Sequence, residues 1–282
     1  MAKKNKPDPG AGDPLLAPWR FDAPGMAVDL RALDPGATPY TLGSKAKDQQ
    51  RVDALALELD AVQNLLFACR RHKLLVVLQG TDTSGKDGTL RTVFGRMSPL
   101  GVRTAAWKAP TEEERAHDFL WRIHRQVPAA GEIMVFNRSH YEDVLVPVAS
   151  GSLPEAQLLQ RYAQINDFER LLCETGTVLV KFMLHISKEE QRRRLQDRID
   201  DPAKRWKFQR EDLAVRALWD TYQAAYARAI SATATPHAPW IVVPADSKTH
   251  RNLMIATVLL QVLQDLDLKF PDDPAIAHLH IS

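Results

Sequence analysis

Short uninterrupted apolar runs alternate along this chain with longer stretches in which apolar residues recur every three or four positions. KLLVVLQ (73–79) is the first run and VRTAAW (102–107) a weaker second; EIMVFN (132–137), VLVKFMLHI (178–186) and WIVVPA (240–245) complete the set. Runs this rich in Val, Ile and Leu predict strands covered on both faces. Leu55, Leu59, Val62 and Leu66 make one apolar stripe and predict a helix before the first strand. Further helical patterns fall at 86–98, 111–127, 155–174, 188–230 and about 247–266. Strands alternating with helices imply right-handed βαβ units and a parallel, five-stranded sheet. Residues 1–43 are rich in Pro and Gly and lack periodicity, which predicts an irregular arm, partly disordered or wrapped on the surface. The folded domain is expected over 44–270, with a tail at 271–282.

Composition narrows the function classes. A chain of 282 residues suits one embellished α/β domain or two small ones. The formal net charge is only +2, which argues against a general nucleic-acid binder and leaves any anion site to local clustering. Cys69 and Cys173 have no ligand-like spacing, so neither a zinc site nor a disulfide framework is expected. No apolar run approaches the ~20 residues that span a bilayer, and the basic N-terminus lacks the apolar core of a leader. A soluble cytoplasmic protein with neither membrane nor nucleic-acid partner is the expectation.

Candidate chemistry begins where the first strand ends, in VVLQGTDTSGKDGT (76–89). Gly80 and Gly85 permit backbone angles that turn amides towards an anion, and the following helix start adds free N–H groups. Lys86 supplies a mobile cation. The usual phosphate loop has Ser or Thr after the lysine; Asp87 would offer a metal a carboxylate, or merely favour its own helix start. Asp82, inside the loop, would repel a phosphate unless a metal stands between them. The third apolar run ends in FNRSHYEDVLV (136–146), which puts Asn137, Arg138 and Glu142 at the sheet edge where α/β proteins bind ligands. Arg138 could neutralise phosphate oxygens or make a salt bridge at the strand end, and Glu142 could serve the site or a solvated helix start. QRRRLQDRIDDPAKRWK (191–207) carries Arg194 and Arg198 four apart on one helix face, then a break at Pro202. Helix, break and helix, rich in arginine, suggest a lid that closes over phosphates.

GTDTSGKDGT, FNRSHYEDVLV and RIDDPAKRWKF together resemble the polyphosphate kinase 2 family, most closely its class III branch of polyphosphate-dependent AMP and ADP phosphotransferases. PTEEERAHDFLWR (110–122) and APWIVVPADSKTHRN (238–252) fit as well, so the resemblance runs from about 40 to 270. It implies a three-layer α/β/α P-loop kinase fold with a helical lid at about 188–232, commonly as a homotetramer. It implies transfer of a terminal phosphoryl group between inorganic polyphosphate and AMP, ADP or ATP, with Mg²⁺ or Mn²⁺. Carried onto this chain, Gly80, Thr83, Ser84, Gly85, Lys86, Asp87 and Gly88 form the phosphate loop and Asp82 takes the metal. Arg138, Arg194 and Arg198 hold the polyphosphate or the transferring group. Asp82, Lys86, Arg138 and Arg194 are the catalytic set, with Asn137 and Glu142 at the nucleotide. The class III branch has this Asn and this Glu, which suggests acceptance of both AMP and ADP. An ATP-dependent nucleoside or nucleotide kinase shares the loop, metal and lid, and a non-catalytic nucleotide binder would keep the loop alone.

Overall fold

A computed structural model describes residues 12–274, 276 and 279–281. The first part of the expected arm and positions 275, 277, 278 and 282 of the tail lie outside the described residues. The elements are β1 (Arg20–Phe21), α1 (Lys45–Cys69), β2 (Lys73–Gln79), α2 (Lys86–Thr89), β3 (Val102–Ala106), α3 (Glu112–Arg115), α4 (Trp121–His124) and β4 (Ile133–Asn137). They continue as α5 (Glu142–Ala149), α6 (Glu155–Glu174), β5 (Thr177–His185), α7 (Lys188–Asp200), α8 (Glu211–Ala217), α9 (Trp219–Thr233), β6 (Trp240–Pro244) and α10 (Lys248–Gln264).

The strand order is β1-β6-β5-β2-β4-β3. The five expected strands are parallel, with Leu74 registered between Ile133 and Val178. The sheet has a sixth strand that the apolar pattern does not announce. β1 pairs antiparallel with β6, Arg20 opposite Ile241 and Phe21 opposite Trp240. Its arm is seated, not loose: Leu16, Trp19, Phe21 and Leu30 are buried. Backbone bonds fix it at Gly25 N–H to Ser231 O (2.9 Å) and Asp246 N–H to Pro35 O (3.1 Å). Tyr40 N–H donates to His250 Nε2 at 3.1 Å, and His185 Nε2 lies 3.0 Å from Leu33 O.

Three layers result. α1 packs on α10, which leans on β6; α5, α6 and α9 pack together on the other face, with α6 against β5. Leu55, Leu59 and Leu66 of the expected stripe are buried in α1. Helix starts are capped by Ser44, Ser187 and Ser247, each accepting a backbone N–H two or three residues into the helix. The 86–98 stretch is shorter than expected, one α-turn followed by a π-turn over Leu90–Phe94. The 111–127 stretch is two single turns, α3 and α4, not one helix. The long 188–230 pattern is broken into α7, α8 and α9, first at Asp201 ahead of Pro202. α5 tolerates Pro147 because the carbonyl that loses its i+4 partner, that of Asp143, accepts from Arg161 Nη1 of α6 at 2.5 Å. No helix among the described residues is long and apolar enough to cross a membrane.

Candidate active site

The loop after β2 is built on three left-handed residues, Thr83 (φ 66°), Gly85 (φ 108°) and, just inside the positive range, Gly80 (φ 146°). A side chain on Gly80 would press on Ser84 Oγ (2.7 Å) and Leu184 O (2.8 Å), so the strand end is closed to anything larger. Lys86 curls back over the loop and donates to Gly80 O (2.7 Å) and Thr81 O (3.2 Å). Burial, then the like charge of Arg138, lowers the Lys86 pKa from 10.5 to about 8, against the pull of Asp82, Glu142 and Asp87. The Thr83 and Ser84 hydroxyl oxygens are buried and have no partner among the described residues. A loop with two unmatched hydroxyls and a cation held at its mouth is prepared for an anion with several oxygens.

β2 and β4 are neighbours, so the FNRSHYEDVLV segment arrives beside this loop. Arg138 turns into the left-handed region (φ 66°) and donates to Asp82 Oδ1 at 2.5 Å and Glu142 Oε2 at 2.9 Å. Burial disfavours its charge, but Glu142 and Asp82 outweigh that and hold it above the ordinary arginine value. Two of its five N–H groups are used, which leaves three for a ligand. Gln79, with its amide turned to match both neighbours, steadies Glu142 by donating to Oε1 at 3.0 Å. Asn137 Nδ2 donates to Asp87 Oδ1 at 2.8 Å, so those two residues face each other across the site.

The two arginines of α7, expected in a lid, are placed otherwise. Arg194 is buried beneath the loop and not over it. Its Nε donates to Glu190 (2.6 Å), Nη1 to Thr83 O (2.9 Å) and Ser84 O (3.0 Å), and Nη2 to Ala245 O (2.6 Å) and Asp246 O (2.9 Å). All five donors are engaged, so Arg194 has none to offer a phosphate. Arg198 donates to Lys207 O (3.1 Å) and faces Asp212 at 3.5 Å, tying the two halves of the helical arm together. Asp212 of α8 nevertheless reaches the site's field: burial, then the Asp82 charge, raises its pKa.

Beside this cluster opens a cleft of about 1360 Å³ between the β3–β4 crossing and α5–α6, with Gln209, just ahead of α8, also lining it. Arg138 and Glu142 form one end of it, and Trp107, Phe119, Arg122 and Arg161 line the rest. Arg122 sits over the Trp107 ring (5.4 Å) and bonds Asp143 (3.1 Å); Arg161 sits over Phe119 (5.2 Å). Flat apolar plates ending in charge suit a ligand with an aromatic ring and an anionic group. Among the described residues, no three His, Cys, Asp or Glu side chains converge as a metal cage. Asp82 gives Oδ1 to Arg138, and no partner among the described residues takes its Oδ2. That donor set fits a hard cation shared with ligand phosphates, as Mg²⁺ is commonly bound.

A family model described as Polyphosphate kinase 2 matches residues 42–271. The chain belongs to the polyphosphate kinase 2 family. Within it, the AMP/ADP-polyphosphate phosphotransferase of Meiothermus ruber is 47% identical over 248 residues, 88% of this chain and 93% of that one. The ADP-polyphosphate phosphotransferase of Rhodopseudomonas palustris is 39% identical over 260 residues, 88% of this chain and 90% of that one. A crystal structure of Polyphosphate Kinase 2 from Arthrobacter aurescens TC1 matches with a TM-score of 0.86 at 46% identity, over 90% of this chain and 94% of that chain.

This polyphosphate kinase 2 chain also uses residues that the motifs do not mark. Tyr226 of α9 accepts the Gly80 N–H at 3.1 Å, and Gln191 of α7 donates to Asp82 O at 3.3 Å. Behind the 138–142 segment lies a wholly buried polar knot. Lys181 donates to Glu169 (2.6 Å), Tyr141 Oη (3.0 Å) and Thr233 O (2.8 Å). Glu169 also accepts from Tyr141 (2.8 Å) and lies 3.2 Å from His140 Nε2. Burial, the largest single effect, would raise Glu169, but Lys181 and His140 together outweigh it and keep a carboxylate there. The lone lysine in VLVKFMLHI was the available signal, since a cation in a strand covered on both faces requires a partner.

Proposed function

We propose that this chain moves the terminal phosphoryl group of inorganic polyphosphate to AMP and ADP, forming ADP and ATP, and runs in reverse. The observation that carries the reading is the convergence of Asp82, Lys86 and Arg138 at one sheet edge, at the end of a cleft large enough for a nucleotide. The Meiothermus ruber relative is named for both acceptors; Glu142 lines the cleft, and Asn137 is bonded to Asp87 of the loop.

The acceptor phosphate is already ionised at neutral pH, so no general base is required. One of its oxygens forms a bond to the terminal phosphorus, and the bond from that phosphorus to the bridging oxygen breaks. The electron pair stays on the polyphosphate, which is one unit shorter. The obstacle is bringing two polyanions together, and this chain answers it with placed positive charge. Lys86 and the Gly80–Gly88 loop hold phosphates at the reacting centre. Arg138 uses its remaining N–H groups on the group in transfer, while Glu142 and Asn137 align the nucleotide end. Arg194 supports the loop from below, and Arg198 keeps the lid at about 188–232 in one piece. Asp82 and the substrate phosphates would hold a divalent cation, Mg²⁺ with Mn²⁺ able to replace it, which would neutralise part of the phosphate charge. Work in the cytoplasm as a homotetramer, with 44–270 as the phosphotransferase unit, belongs to the same proposal; light scattering tests the assembly.

The deciding experiment supplies purified protein with Mg²⁺ and long-chain polyphosphate, with AMP and ADP as separate acceptors. ADP and then ATP from AMP supports the full reading; ATP from ADP alone removes the AMP step. Product only when ATP is the donor identifies an ATP-dependent kinase. Lys86→Ala should lower turnover by at least about 100-fold.

A further inference from the structure

Arg251, at the end of the first turn of α10, is 2% exposed and forms no ion pair among the described residues. Its Nε (3.2 Å) and Nη2 (2.9 Å) both donate to the neutral Asn252 Oδ1, and Nη1 reaches Ser84 O at 3.3 Å. Burial, then the like charge of Arg194, pushes its ionisation below the ordinary arginine value, and no carboxylate pulls it back. An unmatched buried charge is a steep cost to a fold, and its placement here is specific. The guanidinium lies against the turn where the phosphate loop enters its helix. A Cβ on Gly85 would sit 1.8 Å from Nη1, and one on Gly88 would sit 3.1 Å from Nη2. Gly88, outside the usual phosphate-loop pattern, is thus small on the side that meets Arg251. Arg251 and Arg194 both draw the Ser84 carbonyl downwards. A trans peptide points its N–H opposite its C=O, so the Gly85 N–H is turned up, away from the two guanidinia.

We propose that Arg251 is the standing counter-charge of the phosphate loop: left without an acid in the fold, it is matched only when a phosphate anion occupies the loop above it. It acts as a positioning residue, through the loop backbone and its field, and does not touch the substrate. The inference rests on the reading that the loop binds phosphate.

Asn252→Asp tests it with almost no change of shape, since it puts a carboxylate where Oδ1 already accepts from Arg251. The probe is inorganic tripolyphosphate, titrated by calorimetry into the whole chain, alongside thermal unfolding of the free protein. We expect the free Asn252→Asp protein to melt higher than wild type and to bind tripolyphosphate at least tenfold more weakly. Arg251→Gln should bind about 30-fold more weakly, the value of one unit charge about 8 Å from another at an effective dielectric constant of about 20. Arg251→Lys, which keeps the charge, should recover most of that loss. Wild-type affinity in Asn252→Asp, or a lower melting temperature or failure to fold in that variant, overturns the proposal, because a stranded cation must gain from an acid beside it. Equal affinities for Arg251→Gln and Arg251→Lys overturn it too. If wild-type protein does not bind tripolyphosphate at all, the phosphate-loop reading is what fails.

Discussion

Lys86 enters the free site at an energetic disadvantage, and that can be counted in protons. Its folded pKa of about 8 lies below the unfolded value of 10.5. A bound polyphosphate should return the pKa to 10.5 or above by supplying the missing negative charge. At pH 9 the free protein then holds about 0.1 proton on Lys86 and the complex nearly 1, an uptake of about 0.9; at pH 7 the same arithmetic gives about 0.1. Calorimetric titration with tripolyphosphate, in buffers of different ionisation enthalpy, reads this uptake directly. Lys86→Met serves as the reference, because the ligand's own protonation is common to both proteins and cancels in the difference. Equal proton counts for the two proteins at pH 9 refute the reasoning. So does a difference as large at pH 7 as at pH 9. The same pKa fixes a stability effect and its sign. Below pH 8 the folded chain holds a charge it disfavours, at about 3 kcal/mol. Between pH 8 and 10.5 the unfolded chain binds the proton and the folded chain does not, so wild-type stability should rise relative to Lys86→Met across that window.

Three further outcomes follow from the packing. Glu169→Gln strands Lys181 and should cost about 3–5 kcal/mol by chemical denaturation, with most of it recovered in Glu169→Leu/Lys181→Met; a single-variant loss below about 1 kcal/mol contradicts the role of the knot. Gly85→Ala combines a Cβ 1.8 Å from Arg251 Nη1 with φ 108°; polyphosphate-dependent ATP formation should fall at least about 100-fold, and retained activity would show that the loop relaxes freely. Burial lowers the pKa of His250 and His185, which both bond the arm. The unfolded chain therefore binds the extra protons first, and stability should drop as pH falls below about 6.5, by up to about 1.4 kcal/mol per pH unit for each ring. A flat melting temperature from pH 7 to 5.5 would contradict this.

The central strands were legible because each is an apolar run longer than its turns. β1 was not, because two residues, Arg20 and Phe21, carry no periodicity and lie among prolines and glycines. In the site, the structure brings together the residues that spacing put within one motif or at the ends of adjacent strands: Lys86, Asp82, Asn137, Arg138 and Glu142. Spacing did not foresee where Arg194 and Arg198 point. Four-residue spacing says that two side chains share a helix face, but not that the first points under the loop and the second towards Lys207 and Asp212. Arg251 lies in the quoted 238–252 stretch, but its role, like that of Tyr226, was out of reach, since each sits on a helix whose buried face includes polar residues for reasons visible only in three dimensions. Their partners, Ser84 and Gly80, are more than a hundred residues away in the chain.

β1 sets an order on synthesis. Arg20 and Phe21 are among the first described residues to leave a ribosome, yet their partners Ile241 and Trp240 come some 220 residues later. At about 5–20 residues per second, β1 stays unpaired for roughly 10–40 s while β2 to β5 are translated. Nascent chain must keep its first aromatic segment idle over that interval. Then β6 docks on β5 and gives Trp19 and Phe21 a sheet edge to cover. The arm is thus made before the helices and strands that it covers and is among the last parts secured, and a chain truncated before Trp240 would leave the β5 edge uncovered.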